Sequence, residues 1–203
     1  EARRIINSGK MAVVLGIEVD ELFGCGRNAT CTLDDIRTKL DHFHDLGVRH
    51  LFPIGHFDNA FGGAALYDPL YNYANFVQTG AFFAARACTT EGYRYAPGAV
   101  NPSWISILSV IAGALPGAPV SGFTAECNAR GLLGLGEFLV REMMARGMII
   151  DIDHMSSLAA DRVLPADHTI DSMRAEAERA YQLDRAHVFH SWSAQAALNP
   201  MTV

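Results

Sequence analysis

Carboxylate and imidazole side chains follow four apolar stretches of the chain, each at the point where the stretch ends. They are Glu18, His56, the Asp151–Asp153–His154 group and His190. Because the carboxyl ends of parallel strands meet at one edge of a sheet, we expect these side chains to converge. Imidazole nitrogens and carboxylate oxygens suit a divalent ion such as Zn²⁺, and one carboxylate can bridge two metals. The pattern therefore predicts a metal site, with Glu18 as the candidate bridging ligand.

The four apolar stretches are predicted to be buried strands that alternate with helices. They cover 11–17, 48–54, 148–152 and 186–189. Thr32 and Ser156 are placed to cap helices, and glycines follow the predicted helix ends. This alternation predicts an α/β fold with a parallel sheet, either a barrel or a doubly wound sheet. The sequence has neither GxGxxG nor GxxxxGK[ST], which disfavours nucleotide binding and favours the barrel.

Residues 62–127 interrupt the alternation. This stretch is rich in Tyr, Gly, Pro and small residues, and only short helices are predicted in it, for example over 73–87. Long loops inside a compact domain are usually lids or binding loops. The chain is therefore interpreted as one domain, 1–203, with 62–127 as an irregular insertion that covers the site.

Composition excludes some classes of function. The chain is 50% hydrophobic and 19% charged, which is typical of a globular protein. Its net charge of −6, without any cluster of Lys and Arg, disfavours binding to nucleic acid or to an anionic membrane. The most apolar stretch, 103–120, is interrupted by Gly and Pro before it reaches the roughly 20 residues that a membrane span needs.

The four cysteines leave two alternatives open. They form no CxxC pattern, which disfavours a zinc ribbon or a thioredoxin motif. Cys25 with Cys31 and Cys88 with Cys127 can form disulfides, or all four can be buried thiols. Disulfides would favour a periplasmic or secreted location, and thiols would favour the cytoplasm.

Each candidate ligand taken alone also has a purely structural interpretation. Glu18 can be a solvated loop acid, His56 can bond the loop around Asn59, and His190 can cap the next segment. Their shared placement at strand ends favours the metal site. A nucleophilic triad is disfavoured because no GxSxG elbow is present. The Asp151 and Asp153 carboxylates are too close in sequence for a glycosidase pair.

Four segments resemble, in order, the membrane (renal) dipeptidase family of zinc peptidases, within the amidohydrolase-type barrels. The family's strand with a metal-bridging glutamate resembles AVVLGIE, and its LGVRxxxLTH…N segment resembles LGVRHLFPIGHFDNAFG. Its GLTxxGxxxVxxMNxxGMxxDxSHxS block resembles NARGLLGLGEFLVREMMARGMIIDIDHMS, and its strand ending in (I/V)xxSH(S/T) resembles HVFHSW. The resemblance implies a partial (β/α)8 barrel of the TIM type, about its middle half, with a long loop insertion as in bacterial relatives.

The resemblance also implies a set of metal ligands. Glu18 matches the carboxylate shared by two Zn²⁺ ions, and His154 and His190 match the ligands of one of them. Asp151 matches the aspartate before the ligand histidine, and it is expected to orient that imidazole together with Asp153.

The implied reaction is hydrolysis of a dipeptide or related amide by a metal-bound hydroxide. His56 matches the catalytic histidine that contacts substrate and stabilises the developing oxyanion, and Asn59 is the second implied substrate-binding residue. Besides this small substrate, a homodimer or further barrel segments are the expected partners, with no nucleic acid and no membrane span.

Two features of the family have no counterpart in the chain. The HxD pair that holds the other zinc does not occur upstream of Glu18, and the family's proton-transferring aspartate lies on a later strand. We therefore expect one of the two zinc ions to be retained here. The alternatives are a catalytically incomplete fragment or scaffold, and a related barrel hydrolase acting on a lactone or a non-peptide amide.

Overall fold

The computed structural model describes residues 2–67, 69–88 and 115–164. Within these ranges the fold is mixed α/β, with five helices and two small sheets that form no closed barrel. The helices are α1 (Ala2–Asn7), α2 (Leu33–Asp45), α3 (Pro69–Thr79), α4 (Gly134–Ala145) and α5 (Ser157–Val163). The strands are β1 (Leu15–Ile17), β2 (Val48–Leu51), β3 (Ala85–Ala87), β4 (Glu126–Asn128) and β5 (Ile149–Ile150). The predicted strand 186–189 and the predicted helix before it lie outside the described residues.

The larger sheet is parallel, as the alternation of helices and strands predicted. Its strand order is β1-β2-β5, so β2 is central. Leu51 of β2 is in register with Ile17 of β1 and with Ile150 of β5. The carboxyl ends of the three strands therefore meet at one edge of the sheet.

Local sequence signals set the helix ends. Thr32 caps α2 in a capping box, in which its hydroxyl accepts from the Asp35 N–H and the Asp35 carboxylate accepts from the Thr32 N–H. Ser156 caps α5 by accepting from the Ala159 N–H at 3.1 Å. Gly147, after α4, has φ of 64°, a left-handed conformation that favours glycine. Both predicted caps are confirmed.

Two helices cover one face of the parallel sheet. Ile36 and Leu40 of α2 and Leu139 and Met143 of α4 are fully buried. On the opposite face, Ile149 is 54% exposed. The prediction that the run 148–152 is a strand covered on both faces is therefore wrong at Ile149, within the described part of the chain. The strands are also shorter than predicted.

The segment predicted to be irregular contains regular structure. It holds α3, which ends where the Thr79 hydroxyl bonds the Asn75 carbonyl and Gly80 adopts φ of 76°. The predicted helix over 73–87 is therefore wrong at its carboxyl end, where Ala85–Ala87 is a strand. This strand, β3, pairs antiparallel with β4, which is distant in sequence.

Two disulfides link the cysteines, Cys25 to Cys31 and Cys88 to Cys127. The second joins Cys88, directly after β3, to Cys127 in the middle of β4, and no cysteine is left free. Of the two alternatives for the cysteines, the structure shows the disulfides. None of the helices in the described ranges has the length and apolarity needed to cross a membrane.

Candidate metal centre

Three of the side chains expected at the strand ends come together. Glu18 follows β1, His56 follows β2 and His154 follows β5. One ligand atom from each lies within 4.8 Å of the other two. Glu18 Oε1 lies 3.1 Å from His154 Nε2, and the His56 and His154 ring centroids are 4.2 Å apart. The parallel sheet thus brings residues 136 positions apart into contact.

His154 is held by its backbone as well as by its ring. Its φ of 70° is one of two positive values at described non-glycine residues, and such a conformation costs of order 1 kcal/mol or more. Its carbonyl accepts from the Ala65 N–H at 2.7 Å, and its Nδ1 lies 2.7 Å from the Tyr67 hydroxyl. These contacts aim Nε2 at Glu18.

Asp151 shapes the turn that carries His154. Its Oδ1 accepts from the Asp153 N–H at 2.9 Å, and its Oδ2 lies 2.8 Å from Nε2 of His50. Its own N–H donates to the Leu51 carbonyl, which extends the β2 to β5 ladder. We expected Asp151 to orient the ligand imidazole, but the ring it contacts is that of His50. Its support of His154 is therefore transmitted through the backbone.

His56 is positioned by a residue that the sequence did not single out. The His56 N–H donates to Asp20 Oδ1 at 2.7 Å, and the same oxygen lies 3.4 Å from His56 Nδ1. A Cβ at Gly55 would come within 2.5 Å of that oxygen, so glycine is required for this close approach. Asp20 therefore fixes the His56 backbone.

Aromatic rings enclose one side of the centre. Tyr71 stacks on the His56 ring with centroids 5.3 Å apart, and Tyr67 contacts both imidazoles. Loss of water around the Tyr67 hydroxyl, and next the negative charge of the buried Asp153, raise the pKa of Tyr67. Tyr67 is therefore a neutral hydrogen-bond partner at neutral pH.

Glu18 is too exposed for its burial to require a bound metal or a paired charge. Its side chain is 48% exposed, whereas that of His154 is 17% exposed. A carboxylate at this exposure is stable without a metal, so burial gives no reason for Glu18 to bind one. The case for Glu18 as a ligand therefore depends on its proximity to the two imidazoles.

Asn59 holds the loop that follows His56. It is fully buried, and its carbonyl oxygen accepts from the N–H groups of Phe61 and Gly62. Its amide donates to the carbonyls of Asp20 and Pro53. These contacts show a structural role for Asn59, and its contact with substrate stays a prediction.

The donor set fits a divalent transition metal. Ligands about 2.0–2.1 Å from a tetrahedral Zn²⁺ are roughly 3.3 Å from each other, which is close to the 3.1 Å between Glu18 Oε1 and His154 Nε2. The hydroxyl of Tyr67 on the second nitrogen of His154 is the kind of partner that orients a metal-bound imidazole. His56, which the resemblance assigned to substrate, is also within reach of the same ion. The fourth candidate, His190, lies outside the described residues.

Sequence reasoning missed three residues of the centre: Tyr67, Asp20 and His50. Each of them reaches the centre only because the fold brings distant segments together, and none stands at the end of an apolar run. Only the Tyr-rich composition around Tyr67 marked that segment as unusual. Comparisons of the chain with family models, with curated proteins and with solved structures found no match.

Proposed function

We propose that this chain carries the zinc site of a hydrolase that cleaves a dipeptide or related amide, on a partial (β/α)8 barrel. The observation that supports the proposal is the meeting of Glu18, His56 and His154 at the carboxyl edge of a parallel sheet. The ordered resemblance of four segments to the membrane dipeptidase family supplies the reaction class. The open sheet face is compatible with a barrel that continues beyond the described strands.

The residues of the centre have separate roles in this proposal. A bound Zn²⁺ supplies a water of lowered pKa and polarises the scissile carbonyl. Glu18 and His154 hold the ion, with His190 as a further ligand. His56, whose backbone is fixed by Asp20, faces the substrate and donates a hydrogen bond to the oxygen that gains negative charge.

The aromatic wall completes the site. Tyr67 lies against both imidazoles and Tyr71 stacks on His56, so the two rings limit the access of water on that side. A site with less water strengthens the electrostatic interactions inside it. The same rings offer an apolar surface to a substrate side chain.

Metal analysis tests the ligand assignment. Zinc is measured per chain by mass spectrometry after dialysis, for the wild type and for Glu18→Gln, His154→Ala and His190→Ala. The matched control is His42→Ala, which removes an exposed histidine on α2. We expect wild type and control to retain zinc and the three ligand variants to lose it. Unchanged zinc in the ligand variants would show that the assignment is wrong.

A substrate panel tests the reaction. Zinc-loaded chain is assayed against dipeptides, a blocked amide and a lactone, alongside His56→Asn. We expect the wild type to hydrolyse dipeptides. For His56→Asn we expect kcat to fall at least tenfold while zinc is retained. Hydrolysis of the lactone alone would favour the related barrel hydrolase, and zinc binding without any hydrolysis would favour the incomplete scaffold.

A further inference from the structure

A cavity of about 350 Å³ lies beside the small antiparallel sheet. Its walls come from Asn72 of α3, the segment 83–85, Glu126 of β4 and the segment 119–123. None of the three candidate metal ligands lines it. Its volume falls within the range of about 300–1,000 Å³ that is typical of small-molecule sites.

Glu126 gives this cavity its charge. Among the lining residues that the structure describes it is the only ionisable one, and it is 9% exposed. Its Oε1 accepts a hydrogen bond from the Ser121 hydroxyl. In the described ranges no basic side chain forms an ion pair with it. A buried carboxylate with a single hydroxyl donor is costly, so a cationic partner at this position would be stabilised.

The rest of the lining is mainly apolar. Phe83 is 7% exposed, and Leu66, Pro119 and Phe123 contribute further apolar surface. Aromatic faces also attract cations, which adds to the pull of the carboxylate. In the described part of the lining, an anion would meet the Glu126 carboxylate without a compensating base, and a divalent metal would find one carboxylate.

The cavity wall is fixed before any ligand arrives. Cys127 follows Glu126 directly, and its disulfide to Cys88 links β4 to β3. The two strands are also paired in register, with Ala87 opposite Glu126. A preformed wall lowers the ordering cost of binding.

We propose that this cavity is a binding site for a small organic ammonium ion with an apolar body, with Glu126 as its counter-charge. The ammonium group donates to the Glu126 carboxylate, and the apolar body packs between Phe83 and Phe123. The site is separate from the metal centre, and the proposal does not rest on the hydrolase function.

Titration calorimetry with benzylamine on the full chain tests the proposal. Benzyl alcohol and benzoate are the neutral and anionic probes of the same size. We expect benzylamine to bind at least tenfold more tightly than benzyl alcohol, since a charge-assisted hydrogen bond is worth about 1.5–3 kcal/mol. Equal binding of the two probes, or no binding of benzylamine, would overturn the proposal.

Variants locate the binding. Glu126→Gln keeps an acceptor for Ser121 and is expected to weaken benzylamine at least tenfold, and Ala85→Leu is expected to block the exposed side of the cavity. Glu137→Gln, which changes a half-buried glutamate on α4, and His154→Ala are expected to leave benzylamine binding unchanged. Loss of binding in His154→Ala would place the ammonium at the metal centre and overturn the separate site. Unchanged benzylamine binding in both Glu126→Gln and Ala85→Leu would also overturn the proposed site.

Discussion

Asp58 anchors the loop that supports His154, and its substitution by alanine is expected to destabilise the fold. The residue is 2% exposed, and its Oδ1 accepts from the Ala64 N–H at 3.1 Å and from Asn128 Nδ2 at 2.8 Å. Its Oδ2 lies 3.4 Å from Arg27. Ala64 precedes Ala65, whose N–H holds the His154 carbonyl, so the anchor reaches the metal centre.

The magnitude follows from the groups left behind. Asp58→Ala leaves two N–H donors and a guanidinium without their acceptor. Each buried donor left unpaired costs about 1–3 kcal/mol, so the expected loss in free energy of unfolding is about 3–5 kcal/mol. Asp58→Asn keeps an acceptor oxygen for both donors and is expected to lose about 1 kcal/mol or less.

The pH dependence of Asp58 has a defined sign. Burial raises the pKa of Asp58 above its ordinary value of 3.8, despite lowering by hydrogen bonds from Asn128 and Ala64. The unfolded chain therefore releases this proton at lower pH than the folded chain. As pH rises from about 3.8 through the raised pKa, this group lowers the stability of the fold. Asp58→Asn has no titrating carboxyl group at this position. Its free energy of unfolding is therefore expected to rise relative to that of the wild type as pH increases through this window.

Urea denaturation followed by far-UV circular dichroism measures these differences. The three proteins are compared at neutral pH and in a series from acid to neutral pH, with the wild type as reference. If Asp58→Asn loses as much stability as Asp58→Ala at neutral pH, the charge and not the acceptor oxygen holds the loop. The reasoning from the two donors would then be refuted.

Two further predictions concern the metal centre and the disulfides. Tyr67→Phe removes the hydroxyl that bonds Nδ1 of His154, and it is expected to weaken zinc binding about tenfold in a chelator competition. The control variant Tyr73→Phe is expected to leave the zinc affinity unchanged. Equal zinc affinities of the two variants would show that Tyr67 does not support the site. Replacing Cys88 and Cys127 by serines removes the cross-link that closes a loop of 39 positions. The free energy of unfolding, measured by urea denaturation, is expected to fall by about 4 kcal/mol. Replacing the Cys25–Cys31 pair, 6 positions apart, is expected to cost about 2 kcal/mol, so a larger loss for this pair would contradict loop-closure entropy as the cause.

The order of elements and their caps could be predicted from the sequence. Helix periodicity, the Thr32 and Ser156 caps and the glycines after helices are local signals that act over a few residues. Three of the apolar runs contain β1, β2 and β5, and the polar residues after them lie at one edge of the sheet. Because parallel strands share a direction, the sequence alone predicts that Glu18, His56 and His154 lie close together.

The extent of the strands could not be predicted in this way. An apolar run shows that a segment can be buried, but the neighbouring elements decide whether it is. Ile149 is 54% exposed because α2 and α4 cover the other face of the sheet within the described ranges. The pairing of β3 with β4 likewise depends on two segments that are far apart in the chain.

The order of residues along the chain specifies which chemical groups stand at the strand ends, whereas the folded structure specifies what surrounds them. Tyr67 and His154 are 87 positions apart, and His50 and Asp151 are 101 apart. No local pattern specifies such pairs, since they form only when the sheet and the loop at Asp58 are both in place. The left-handed backbone at His154 has the same origin, because the contacts with Ala65 and the Asp151 turn offset its strain.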